Sequence, residues 1–134
     1  MSAPAPGPYA LSATYLRLRP DTSIEPLHVG NDFWQRIMGG KLGDFHHEYL
    51  VITTSFDKNW PTWEMHPNGD EVVMLLDGST TMVLEIDGAE KLVELNERCA
   101  YVVVPRGTWH TSRTRTACRM LFITAGEGTQ IRPL

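Results

Sequence analysis

Hydrophobic and polar positions alternate along most of this chain with the period of two that belongs to β-strands. Thr81-Met-Val-Leu-Glu-Ile86 is the clearest case: Met82, Leu84 and Ile86 share a face predicted to point inward, while Thr81 and Glu85 meet solvent. Ala13 to Arg19 predicts a first strand, with Leu16 and Leu18 on one face and Arg17 and Arg19 on the other. Further strands are predicted over Glu71 to Leu76, Lys91 to Leu95, Tyr101 to Val104 and Arg119 to Thr124. Val72 to Leu76 and Met120 to Ile123 are apolar on both faces, so both faces need cover. One side takes the interior; the other needs a helix, a terminal segment or a second subunit. Turn dipeptides punctuate these runs at Asn68-Gly69, Asp77-Gly78, Asp87-Gly88 and Arg106-Gly107, the first three spaced by nine and ten residues. That rhythm belongs to an antiparallel all-β sandwich or barrel.

Helical signals are confined to one stretch. Asn31 and Asp32 are N-cap types, an apolar run continues to Met38, and Gly39-Gly40 supplies the stop. Asp21 to His28 reads as a loop. Residues 1–12 are Pro-rich at their start and expected to be flexible, which leaves 13–134 as a single barrel domain. The fold class is therefore all-β, with one or two short helices near the N-terminus.

Composition changes this picture mainly by exclusion. A chain of 134 residues, 42% hydrophobic and 21% charged, can bury one core without staples. The net charge of −4 comes without any basic cluster beyond Arg113 and Arg115, which read as an exposed strand face. Nucleic acid and anionic membranes are thus not expected partners. No apolar run approaches the roughly 18–20 residues of a membrane span, and the first residues lack a signal-peptide pattern, so a cytoplasmic location is expected. Cys99 and Cys118 lack CxxC spacing and read as small buried hydrophobes rather than a disulfide.

The chemistry gathers in two clusters. Glu64 and His66, two apart on a strand, project to one face, and a turn at Pro67 to Asp70 brings Glu71 back across a hairpin. His110 closes the run Pro105-x-Gly107-x-x-His110 on a later strand. Two imidazoles with one or two carboxylates suit a divalent Fe, Mn, Ni, Zn or Co ion. His28, His46 and His47 read as ordinary core or surface groups, and Trp60, Trp63 and Trp109 as rim aromatics or packing residues. Neither a phosphate-binding glycine loop nor a nucleophile elbow is present.

These residues carry a resemblance. The run from Glu64-Met-His66 through Glu71 to Gly78 resembles the first signature motif of the cupin superfamily: Gly, five residues, His-x-His, three or four residues, Glu, six residues, Gly. Pro105-Arg-Gly107-Thr-Trp-His110 resembles the second. His66, Glu71, Gly78, Pro105, Gly107 and His110 fall in register, and the match runs from Lys58 to Thr114. Glu64 stands where the first histidine would be, Lys58 and Cys99 where the opening glycines would be, and Thr114 where a trailing asparagine would be. The resemblance implies a cupin-type jelly-roll β-barrel, or double-stranded β-helix, that binds a small molecule. It also implies a divalent metal held by His66, His110, Glu71 and Glu64. The expected function is a metal-dependent enzyme, dioxygenase- or isomerase-like, acting on a small oxygen-bearing organic substrate. If Glu64 is not a ligand it is placed to act as a catalytic general base. The alternative is a non-catalytic ligand-binding or sensor domain, and a homodimer is expected in either case.

Overall fold

A computed structural model describes residues 3–134. Residues 3–10 carry no regular secondary structure; the first two residues of the segment expected to be flexible lie outside the described residues. Among the described residues, eleven strands follow in two antiparallel sheets, with a single short helix. The strands are β1 (Thr14–Leu18), β2 (Ile24–His28), β3 (Tyr49–Phe56), β4 (Thr62–Met65), β5 (Glu71–Asp77), β6 (Thr80–Ile86), β7 (Ala89–Leu95), β8 (Tyr101–Val104), β9 (His110–Arg113), β10 (Cys118–Thr124) and β11 (Gln130–Pro133). One sheet runs β2-β1-β3-β10-β5-β8 and the other β11-β4-β9-β6-β7.

The turn rhythm has a different meaning from a run of hairpins. Of the four dipeptides, Asp87-Gly88 alone closes one, between β6 and β7, and both its residues have positive φ as a tight hairpin turn requires. The other three carry the chain from one sheet to the other, so that β4–β5, β5–β6 and β8–β9 face each other across the core. The hairpin expected between His66 and Glu71 is therefore corrected to a sheet-to-sheet corner. Gly78 sits at such a corner with φ +83, and a Cβ there would lie 2.3 Å from the Ala117 carbonyl oxygen.

Between the sheets lie Val73, Leu75, Met82, Leu84, Val102, Val104, Met120 and Phe122, all buried. Met82 and Leu84 face inward as the alternation predicts, Ile86 packs partly buried against the same cluster, and Thr81 and Glu85 are half-buried. On the other face of β5 and β10, Val72, Met74, Leu121 and Ile123 are half-buried.

The N-terminal part departs from the sequence reading at one strand. Ile24–His28 is an edge strand rather than a loop; Pro26, which lacks a donor, is tolerated because nothing pairs with the outer side of an edge. On β1 the alternation holds, with Tyr15 and Arg17 on the buried face and Leu16 and Leu18 half-buried on the other. Arg17 is admitted to the interior by Glu48: its Nε and Nη2 donate to the two carboxylate oxygens at 2.6 and 3.1 Å, and its guanidinium lies 4.2 Å from the Phe45 ring centre. The helix α1 spans Phe33–Met38 and buries Phe33 against Tyr15. Asp32 does not cap it; its carboxylate instead accepts from Arg36 at 3.1 Å. No helix among the described residues is long and apolar enough to cross a membrane.

Candidate metal centre

The four residues singled out by spacing converge. Glu64 on β4 is the register partner of His110 on β9, so their side chains leave adjacent strands toward the interior. His66 follows β4 directly, and its carbonyl oxygen accepts from the Gly107 N–H at 3.0 Å. Asp70 accepts from the Arg106 N–H at 2.9 Å. The 66–70 and 105–108 segments are thus stitched together, which holds His66 beside His110 although 44 residues separate them. On its other side this corner packs against the residue after β10: a Cβ at Gly69 would meet the Ala125 methyl at 2.4 Å. Glu71 opens β5 on the opposite sheet and points back across the core.

A ligand atom from each of Glu64, His66 and His110 lies within 4.8 Å of the other two. Glu71 touches both imidazoles: its Oε2 is 3.3 Å from His66 Nε2 and its Oε1 is 3.0 Å from His110 Nε2. His66, Glu71 and His110 are 5%, 2% and 0% exposed, and Glu64 is half-buried. Water therefore does little to screen this set.

The far sides of the rings decide what the near sides can do. His110 Nδ1 lies 3.0 Å from the Thr108 carbonyl oxygen, which can only accept, so Nδ1 carries a proton. His66 Nδ1 lies 2.8 Å from Thr129 Oγ1, whose own hydrogen is given to the Gly126 carbonyl at 2.9 Å. That hydroxyl must accept, so His66 is protonated on Nδ1 as well. In the neutral rings both Nε2 atoms then present lone pairs toward a carboxylate that is itself an acceptor. His66 Nε2, His110 Nε2 and Glu71 Oε1 are buried, within ion-pair distance of one another's groups, and without a hydrogen-bond partner. Such an arrangement needs a positive centre among its members, either an extra proton or a metal ion. Histidines whose outer N–H is bound to oxygen while the inner nitrogen faces carboxylates have the donor pattern of metal ligands. The residues fit a divalent ion.

The electrostatics agree in direction. Burial disfavours a charge on Glu71, but with the extra proton on the imidazoles the hydrogen bonding and charge of His110 and His66 outweigh it and hold its pKa at about 2. Burial pulls His110 down; its interaction with Glu71 outweighs that and raises it. Glu64 is raised, first by burial and then by the Glu71 charge. Two carboxylates in one small space repel, which a divalent ion would relieve. Thr124 on β10 adds a donor, its Oγ1 giving a 2.7 Å hydrogen bond to Glu71 Oε2.

Spacing did not find Thr124, Thr129 or the Thr108 carbonyl. Thr129 lies 63 residues from His66 and leaves no local signal; Thr124 was detectable in principle as a polar residue ending the inward stripe of Met120 and Phe122. Trp60 packs edge-on to His110 with ring centres 6.2 Å apart and also against Phe122, so it belongs beside the site. Trp63 and Trp109 do not. They flank the Arg132 guanidinium, at 5.2 and 4.6 Å, because alternation on β4 sends Trp63 to the face opposite Glu64. His28, His46 and His47 are on the surface, and Arg113 pairs with Glu90 on an exposed face. Cys118 is buried, whereas Cys99 is exposed in a turn and has φ +70, so its expected burial is corrected. That φ explains why glycine suits the opening position of the second motif.

Neither a protein-family model nor a curated protein matches this sequence. Solved structures do resemble its fold. A cupin-2 domain protein from Shewanella frigidimarina is 19% identical with a TM-score of 0.48, covering 64% of this chain and 71% of that one. Bacillus subtilis oxalate decarboxylase, studied for its Mn(II) centres, gives a TM-score of 0.53 at 16% identity over 64% of this chain. This is a cupin fold. The chain spans only 24% of the decarboxylase, and an oxalate oxidase in complex with glycolate gives 21% identity, a TM-score of 0.49 and coverage of 61% and 45%. Within this fold Glu64 and His110 stand on the adjacent strands β4 and β9 of one sheet, and Glu71 comes from β5 of the other.

Proposed function

We propose that this cupin is a metal-dependent enzyme, dioxygenase- or isomerase-like, acting on a small oxygen-bearing organic molecule, with a divalent ion held by His66, His110, Glu71 and Glu64. The observation that carries the reading is the pair of buried Nε2 atoms, 3.3 and 3.0 Å from the Glu71 carboxylate oxygens and without a hydrogen-bond partner, which call for a positive centre between them. When bound, such an ion supplies Lewis acidity and open positions for a substrate oxygen. The chain's own contributions are separate. Thr124 holds Glu71 Oε2 by a hydrogen bond, and the two imidazoles favour the ionised carboxylate. Glu64, less buried than the other three and raised by its surroundings, is placed to take and return a substrate proton if it is not a ligand. Trp60 and Phe122 offer an apolar wall beside His110. The proposal includes a cytoplasmic homodimer, with the half-buried apolar face of β5, β8 and β10 meeting a second copy; Tyr101 and Val103 on β8 are 59% and 51% exposed there.

Metal analysis tests this reading, using protein purified without chelators and then dialysed against Mn(II), Fe(II) or Zn(II). Stoichiometric metal in the wild type, lost in both His66→Ala and His110→Ala, is expected. Oxygen consumption on a panel of phenols and diketones then separates an oxygenase from other chemistry. A wild type that takes up no metal sinks the proposal. Metal without turnover on any panel favours the second reading, a non-catalytic ligand-binding or sensor cupin, for which the same lone-pair geometry provides a structural ion site.

A further inference from the structure

Thr129 lies outside both motifs, just before β11, yet it touches the buried His66 ring. The turn that carries it is tied to the same corner twice. Asn68 Nδ2 donates to the Glu127 carbonyl at 2.9 Å, and Thr129 Oγ1 meets His66 Nδ1 at 2.8 Å. Within the turn, the Thr129 N–H and hydroxyl both donate to the Gly126 carbonyl, at 3.3 and 2.9 Å. This last bond is the informative one. A free threonine hydroxyl can donate or accept, and would leave the neighbouring imidazole free to choose its tautomer. Committing its only hydrogen to Gly126 turns the oxygen into an acceptor.

We infer that Thr129 is a positioning residue, which fixes His66 in the Nδ1–H tautomer and so directs its Nε2 lone pair to the candidate metal centre. His110 needs no such device, because a backbone carbonyl already plays that part. The C-terminal segment, through one hydroxyl, thereby sets the ligand character of a residue in the first motif. The consequence for metal affinity rests on the proposal above, whereas the tautomer is a property of the metal-free protein. Partners of this kind typically change metal affinity by roughly 10–100-fold. Thr129 is itself exposed, where water can partly replace it, so the lower end, about tenfold, is expected.

The test uses Thr129→Val, which keeps the shape and removes the hydroxyl, with Thr129→Ser as the conservative rescue. Nitrogen-15 histidine spectra of the metal-free full chain, recorded above the imidazole titration, report the tautomer directly. The wild type and Thr129→Ser are expected to show His66 protonated on Nδ1, and Thr129→Val a shift toward the Nε2–H form. Mn(II) affinity, measured by competition with a chelator, is expected to fall about tenfold in Thr129→Val and recover in Thr129→Ser. An unchanged tautomer in Thr129→Val, or a wild type already protonated on Nε2, overturns the inference. If the wild type shows the Nδ1–H form and the valine variant loses it, Thr129 has the role assigned here. That holds even if no protein in the series binds Mn(II), which would count against the proposed function alone.

Discussion

Thr124 offers the sharpest test of how the interior prepares Glu71. Its hydroxyl donates at 2.7 Å to Oε2 of a carboxylate that is 2% exposed, so in Thr124→Val little solvent can supply a substitute. A hydrogen bond to a charged group is worth about 1.5–3 kcal/mol. The metal-free variant is therefore expected to lose about 1.5–3 kcal/mol in urea unfolding at neutral pH, with an unchanged m-value. Metal affinity should fall by roughly 10–100-fold, because Glu71 is no longer held in one orientation. The pH dependence has a definite sign. A carboxyl held at about 2, below its ordinary 4.5, adds stability above 4.5 that is lost as pH falls toward 2. The penalty of the variant should accordingly persist from neutral pH down to about 4.5 and fade below it as Glu71 is protonated. Thr124→Ser should restore both quantities. A loss under about 0.5 kcal/mol together with an affinity within threefold of wild type would refute the reasoning, since both follow from the same bond.

Three further outcomes follow from particular contacts. Glu48→Gln leaves the buried Arg17 guanidinium without its bidentate charge partner and should cost about 3 kcal/mol in urea unfolding, the scale of a broken buried pair. Replacing both residues by apolar ones, Arg17→Met with Glu48→Leu, should recover most of that. Cys99→Gly removes a side chain from a residue at φ +70 and should raise stability by about 0.5–1 kcal/mol in the same assay, backbone relief exceeding the added freedom of the unfolded chain. His46 is raised by its 2.8 Å hydrogen bond with Glu127 and by that residue's charge. Whatever stability the contact adds is present below the ordinary imidazole pKa and lost as pH rises through the raised one. An NMR titration should find His46 above its ordinary value in the wild type and back near it in Glu127→Gln.

Much of the architecture was legible because local pattern and global fold agree. The alternation in Thr81 to Ile86 and the double-sided apolar runs of β5 and β10 mark strands wherever they sit. Turn dipeptides mark chain reversal but not which sheet the chain reverses into. That depends on packing, so the expected hairpin at His66 and Glu71 became a corner between sheets. The same limit hid β2, whose Pro26 argues against a strand until the strand is known to be an edge. On β1 the pattern gave the alternation correctly but could not say which face is interior; a glutamate 31 residues away makes Arg17 burial possible.

At the site, motif spacing located all four polar side chains, since each comes with its own local turn. It did not locate the threonines that orient them, because Thr124 arrives from a strand and Thr129 from a turn that are distant in sequence. Glu64 illustrates both sides. Its position was read from spacing, and its register pairing with His110 places it beside the two imidazoles. Its burial and its proximity to Glu71 came only with the fold.

The central claim is that His66, His110, Glu71 and Glu64 hold a divalent ion through the inner ring nitrogens and the two carboxylates. Anomalous diffraction from crystals grown with Mn(II) or Co(II) tests it most directly. The account predicts one strong peak between His66 Nε2 and His110 Nε2, within coordination distance of Glu71, with the Glu64 carboxylate either joining it or turned to face it. A map with no peak among these four side chains, from crystals loaded at saturating metal, would contradict it.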